Sequence, residues 1–117
     1  MDTTSAVNAL SALAYESRLD IFRLLVRAGP EGMAAGEIAK AIGIIPNTLS
    51  NSLNILSGAG LVASRRAGRS IIYTAAYDRM GDLLAFLLED CCAGDPAICG
   101  SIAEVASRSC AIQEQAC

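Results

Sequence analysis

The sequence predicts a mainly α fold closed by a β-hairpin, a winged helix-turn-helix, and three observations carry that prediction. Between Glu37 and Tyr73, two short helical segments flank a glycine turn and are followed by two alternating stretches that read as a ribbon. The second of those helices, Pro46 to about Ala59, sets Leu49, Leu53 and Leu56 on one face and Asn47, Ser50, Asn51 and Asn54 on the other. Positive charge gathers on the same window: no acidic residue lies between Ile38 and Tyr77, where Lys40, Arg65, Arg66 and Arg69 give +4.

Taken in order, Thr3 to Ala14 reads as a small-residue helix with Val7, Leu10 and Leu13 at helical spacing. Glu16 to Ala28 is apolar at Leu19, Phe22, Leu25 and Val26 and again at Ile21 and Leu24, so it is expected to be the central core helix. Gly29, Pro30 and Gly32 end it and make the connection onward. Glu37 to Ile42 is a short helix, Gly43 supplies the sharp turn, and Pro46 opens the next helix where a missing N–H costs nothing. Gly60 ends that helix. Leu61 to Arg66 and Ser70 to Ala75 then pair across Ala67 and Gly68 as a β-hairpin with arginines at its tip. Asp78 to Cys92 is the last helix, with Asp78 expected at its N-cap and Met80, Leu83, Leu84, Leu87 and Leu88 on one stripe; Phe86 lies off it.

A chain of 117 residues is one structural domain, and we divide it at residues 1–92, for DNA binding and dimerisation, and 93–117, a cysteine-containing tail. The apolar fraction of 53% is high, yet no apolar run approaches the roughly 18 residues of a membrane span. The surplus is expected to form a homodimer interface through the first and last helices, the alternative being that the last helix only closes the monomer core. No basic segment precedes an apolar run at the N-terminus, so no secretion signal or membrane partner is expected. The five cysteines then read as free thiols in a reducing cytoplasm.

Net charge is −3, which alone argues against a nucleic-acid partner. The distribution reverses the argument. Residues 1–75 hold seven basic and five acidic side chains, a balance of +2, while residues 76–117 hold two basic and seven acidic, a balance of −5. The helix from Pro46 carries no charge but three asparagines, which are poor interior helix formers whose amides match the N6 and N7 edge of adenine. Asn47, Thr48, Ser50, Asn51 and Asn54 are therefore the candidate base readers of double-stranded DNA, against the plainer reading of a solvated face. Arg65, Arg66 and Arg69 are the candidate phosphate or minor-groove contacts of a wing, against a hairpin that only covers the core.

The run ALAYESRLDIFRLL, the segment TLSNSLNILSGAGLV and the hairpin RRAGRSIIY resemble the ArsR/SmtB family of bacterial repressors, which sense metals, metalloids and thiol-reactive signals. The resemblance covers about Ala9 to Tyr77 and implies a homodimeric winged-helix protein that binds an operator and leaves it when ligand arrives. Departures from the family pattern are informative. A histidine often found two residues after the serine that matches Ser50 is here Ser52, so one contact type is expected to differ. The Cys-Val-Cys of many arsenic and cadmium sensors is replaced by Ala34, Ala35 and Gly36, and the absence of any histidine excludes the family's histidine-bearing zinc and nickel sites.

Cys91 and Cys92, followed by Cys99 after the loop AGDPAI, are similar to the subgroup of ArsR repressors that bind arsenicals through C-terminal cysteines. Three thiolates suit trivalent arsenic or antimony, soft centres that need no fourth ligand. Zinc would need one more, from Asp90, Asp95, Cys110 or water, so a divalent soft-metal sensor (Cd, Pb, Zn) stays open as an alternative. So do structural cysteines and a thiol-redox or persulfide sensor built on the same residues. Cys110 and Cys117 receive no role. An enzyme is not expected, since the chain has no histidine base, no Cys-x-x-Cys pair and no phosphate-cradling glycine loop. The remaining alternative of a different class is a winged helix that binds another protein.

Overall fold

The computed structural model describes residues 1–89 together with Gly100, Ile102, Glu104 and Val105. Two compact units divide the chain, Met1–Phe86 and Leu87–Cys117. Helix α1 (Thr3–Leu13) starts at Asp2, whose carboxylate accepts a 2.7 Å bond from the Ser5 N–H; that bond holds its pKa below the usual value. Its core face is Ala6, Ala9 and Ala12, small residues that let the backbone approach α2 and α4 closely. Val7 and Leu10, at helical spacing on a helix expected to share the dimer interface, are exposed, at 52% and 42%. The alanine stripe takes the inner face, and the two branched side chains point away from it.

Helix α2 (Glu16–Ala28) is the core helix, as its pattern predicted: Ile21, Phe22 and Leu25 are buried, and it packs on α1, α3, α4 and the sheet. Leu19 is the exception, left exposed. Arg18 fixes the corner between the first two helices. Its Nε donates to the Ala12 carbonyl at 2.6 Å and its Nη2 to the Ser11 carbonyl at 3.4 Å, so a cation meets the negative end of α1 while stacking 5.0 Å above the Tyr15 ring.

A two-residue strand, β1 (Met33–Ala34), follows, where only a connection was predicted. It is too short for a periodic signal and exists through its partner. Helices α3 (Ala35–Ile42) and α4 (Pro46–Gly58) come next, the first entered through Glu37, whose carboxylate accepts from the Ala34 N–H at 3.0 Å. At the far end of α4, Gly60 takes φ +77; the N–H groups of Gly60 and Leu61 bond the carbonyls of Ser57 and Leu56, and Leu61 is driven into the core.

Strands β2 (Val62–Ala67) and β3 (Ser70–Ala75) form the hairpin around Gly68 and Arg69, and the antiparallel sheet has the order β1-β3-β2. Helix α5 (Tyr77–Leu88) then begins one residue before Asp78, which stands in its first turn and is not the N-cap predicted for it. Tyr77 Oη donates to the Val26 carbonyl at 3.0 Å and pins the start of α5 to α2. Met80, Leu83 and Phe86 turn toward the core, whereas Leu84, on the stripe the sequence predicted to be one surface, is 49% exposed. Among the described residues, no helix is long and apolar enough to cross a membrane.

Candidate nucleic-acid interface

The sharp change of direction between α3 and α4 is made by Gly43 at φ +78, whose N–H bonds the Ala39 carbonyl at 2.8 Å. Ile44 turns inward and Ile45 outward, in an extended conformation that feeds Pro46 into the first turn. Leu49, Ser52, Leu53 and Leu56 anchor α4 in the core. That anchoring leaves Asn47, Thr48, Ser50, Asn51 and Asn54 all exposed, so the five predicted readers are presented on the outside of one helix. Ser52 is only 5% exposed. The position that the resemblance matches to a histidine therefore faces the packing side here, so Ser52 is not presented with the asparagines of α4.

The wing separates its arginines. Register pairs Arg65 with Ile72 and Arg66 with Ile71, so the two side chains leave opposite faces of the ribbon. Arg65 Nη2 donates to the Glu31 carbonyl at 2.9 Å, which ties the hairpin to the chain just before β1. Arg66 lies on the face that carries Val62, Tyr73 and Ala75 further down, but beyond the core and exposed, and Arg69 stands in the turn itself. Sequence reading treated the three as equivalent; the fold gives one of them a structural bond and leaves two at the tip. Lys40, in the last turn of α3, is an exposed cation that belongs to the same positive window.

The sheet edge near Arg65 depends on Gly32. With φ +74, a Cβ at this position would stand 2.4 Å from the Tyr73 carbonyl oxygen and under 3 Å from the Ile72 and Thr74 side chains. Only glycine permits β1 to lie this close to β3. An uncharged, exposed α4 face together with exposed cations on α3, β2 and the hairpin turn suits a polyanion whose bases are read and whose phosphates are neutralised separately.

The candidate ligand residues Cys91, Cys92 and Cys99 lie outside the described residues. Within the described residues, no three of His, Cys, Asp and Glu come together as a metal site.

A family model described as a helix-turn-helix domain matches residues 13–65, the span from the end of α1 to the middle of β2. A solved winged helix-turn-helix DNA-binding domain, fragment 1–100 of Mb0332 from Mycobacterium bovis, is described as homodimeric and as a possible ArsR-family transcriptional regulator. It is 32% identical, with a TM-score of 0.60 over 74% of this chain and 81% of that one. The chain belongs to the ArsR/SmtB family. Within that family it is 40% identical over 77 residues to the HTH-type transcriptional regulator NmtR of Mycobacterium tuberculosis, which covers 66% of this chain and 62% of NmtR. The chain thus spans less than two thirds of the length of that ArsR/SmtB relative. A further solved structure, described as a possible transcriptional regulator for arsenical resistance, is 25% identical with a TM-score of 0.61 over 68% of this chain and 80% of its own.

Proposed function

We propose that this chain is a cytoplasmic repressor of an arsenic-resistance operon, a homodimer that binds double-stranded operator DNA and is released when trivalent arsenic or antimony binds Cys91, Cys92 and Cys99. The observation that carries the DNA-binding part is the uncharged, exposed Asn, Ser and Thr face of α4, in a chain that also exposes the cations Arg66 and Arg69 on its wing. Two copies of that face, one from each protomer, occupy successive major grooves. Homodimerisation is supported by the exposed Val7 and Leu10 of α1 and Leu84 of α5, apolar side chains that a monomer leaves in water. The homodimeric M. bovis neighbour fits the same assembly.

The inducer follows from donor chemistry. The sequence offers five thiols and no imidazole, and those at 91, 92 and 99 are the three that fall within nine consecutive residues. Three thiolates replace the hydroxyls of arsenite to give a neutral pyramidal centre with no further ligand required, a set better matched to a soft metalloid than to tetrahedral zinc. Release then requires that the two forms of the dimer bind the metalloid with different affinity; a coupling of about 1–3 kcal/mol is the usual scale.

The test is binding of the full chain to the DNA upstream of its own reading frame, measured against salt and repeated with arsenite. Cys91→Ser, Cys92→Ser and Cys99→Ser should each still bind DNA and each fail to be released by arsenite, because a hydroxyl does not replace a thiolate on a soft centre. Replacing Cys110 and Cys117 together should leave the response intact. Normal release of Cys99→Ser refutes the three-cysteine site. Release by peroxide or polysulfide with a covalent mass change, and none by arsenite, makes the protein a thiol-redox sensor instead.

A further inference from the structure

We infer that Ile45 contacts the methyl group of a thymine in the recognised sequence, making it a specificity-determining residue outside the polar stripe of α4. The inference rests on the DNA-reading role proposed above and adds to it a chemical preference that asparagine and serine do not supply. At 65%, Ile45 is the most exposed large apolar side chain among the described residues, while its neighbour Ile44 packs against the core. It also occupies the N-cap of α4, where Ser, Thr, Asp or Asn would accept a bond from the free N–H groups of the first turn; isoleucine makes no such bond. The residue therefore gains neither burial nor capping in this chain. Its presence is explained by a surface that the protomer itself does not supply.

The geometry favours a rigid contact. Ile45 sits at φ −73 and ψ 151, and the following Pro46 restricts it to that extended region. Branching at Cβ restricts χ1 as well, so little freedom is lost when the side chain meets a partner. The side chain stands at the N-terminal end of α4, next to Asn47 and Thr48, and the N-terminal residues of a helix-turn-helix recognition helix are those that meet base edges. In the major groove the one apolar mark on the four ordinary bases is the C5-methyl of thymine. An isoleucine presented there discriminates by burying that methyl.

The experiment uses the full chain and a duplex that the chain itself selects from a random-sequence pool. Each thymine of the selected duplex is replaced in turn by deoxyuridine, which removes the methyl and nothing else, and affinity is measured for the parent chain and for Ile45→Ser. The parent should lose about fourfold at one thymine of a half-site, the worth of one buried methyl at about 0.8 kcal/mol. Ile45→Ser should show no loss at that thymine and should melt no lower than the parent, since serine restores a cap. The inference is overturned if no thymine shows the loss, or if Ile45→Ser keeps the same loss. A pool that yields no enriched sequence removes the DNA-reading role itself, and this inference with it, a result plainly different from a selected duplex that is indifferent to its methyl groups.

Discussion

Asn51 and Ser52 are adjacent in the chain and have opposite fates, one presented and the other buried at 5% exposure. That difference makes Asn51 the position at which base reading is best tested. Asn51→Ala should cost about 1–3 kcal/mol on the specific duplex and relax the preference at one base pair, measured as affinities for single-base variants. Equal losses on specific and random DNA would assign Asn51 to a solvated surface. The adjacent arginines of the wing make a second contrast at the same scale. Arg65→Ala removes the bond to the Glu31 carbonyl and should lower stability by about 1 kcal/mol in a thermal melt. Arg66→Ala, whose guanidinium is exposed at the tip, should leave the melt unchanged and reduce the salt slope of DNA binding by about one. An unchanged slope would leave Arg66 without a phosphate.

Among elements, β1 is the one the sequence did not announce. Two residues carry no periodicity, and a strand of that length is held by β3 through the pairs Met33 with Tyr73 and Ala34 with Ile72. Gly32 sets how closely it approaches, so Gly32→Ala combines a left-handed φ with a backbone clash and should destabilise the fold by about 1–3 kcal/mol, read from denaturant unfolding. A variant as stable as the parent would show that β1 can part from β3 without cost. Helix α4 was legible almost to the residue, because Pro46 marks its start and Gly60 its end, and both act through local backbone geometry. The start of α5 was misplaced by one residue. Asp78 has the chemistry of a cap, yet the strand before it delivers the chain to Tyr77, whose hydroxyl is claimed by Val26.

For the whole molecule, the governing question is how two protomers meet. Leu84 lies next to the buried Leu83 and remains 49% exposed, the arrangement expected where one side of α5 serves the protomer and the other its partner. Leu84→Glu should give a monomer by sedimentation that keeps its helical content and loses operator affinity, because two half-sites need two linked modules. A dimer that survives this change would move the interface away from α5. Losing affinity without losing the dimer would instead place Leu84 in the path between ligand and DNA.

What the sequence by itself determined was whatever is encoded locally. The helix-turn-helix and the hairpin, the polar face of α4, the positive window from Lys40 to Arg69 and the family were all readable, because caps, glycine turns and hydrophobic periods act over a few residues. Tertiary structure decided which members of an apolar pattern face inward. In α1 the alanines take the core and Val7 and Leu10 do not, since close approach to α2 and α4 rewards small side chains, a fact no single helix contains. In α5 the inward face is Met80, Leu83 and Phe86, whereas the sequence drew Met80 and Leu83 on one stripe with Leu84 and left Phe86 off it. The wing shows the same division: three arginines in five residues were visible as charge, but only strand register and the carbonyl of Glu31, 34 residues away in sequence, separate the bonded Arg65 from the free Arg66.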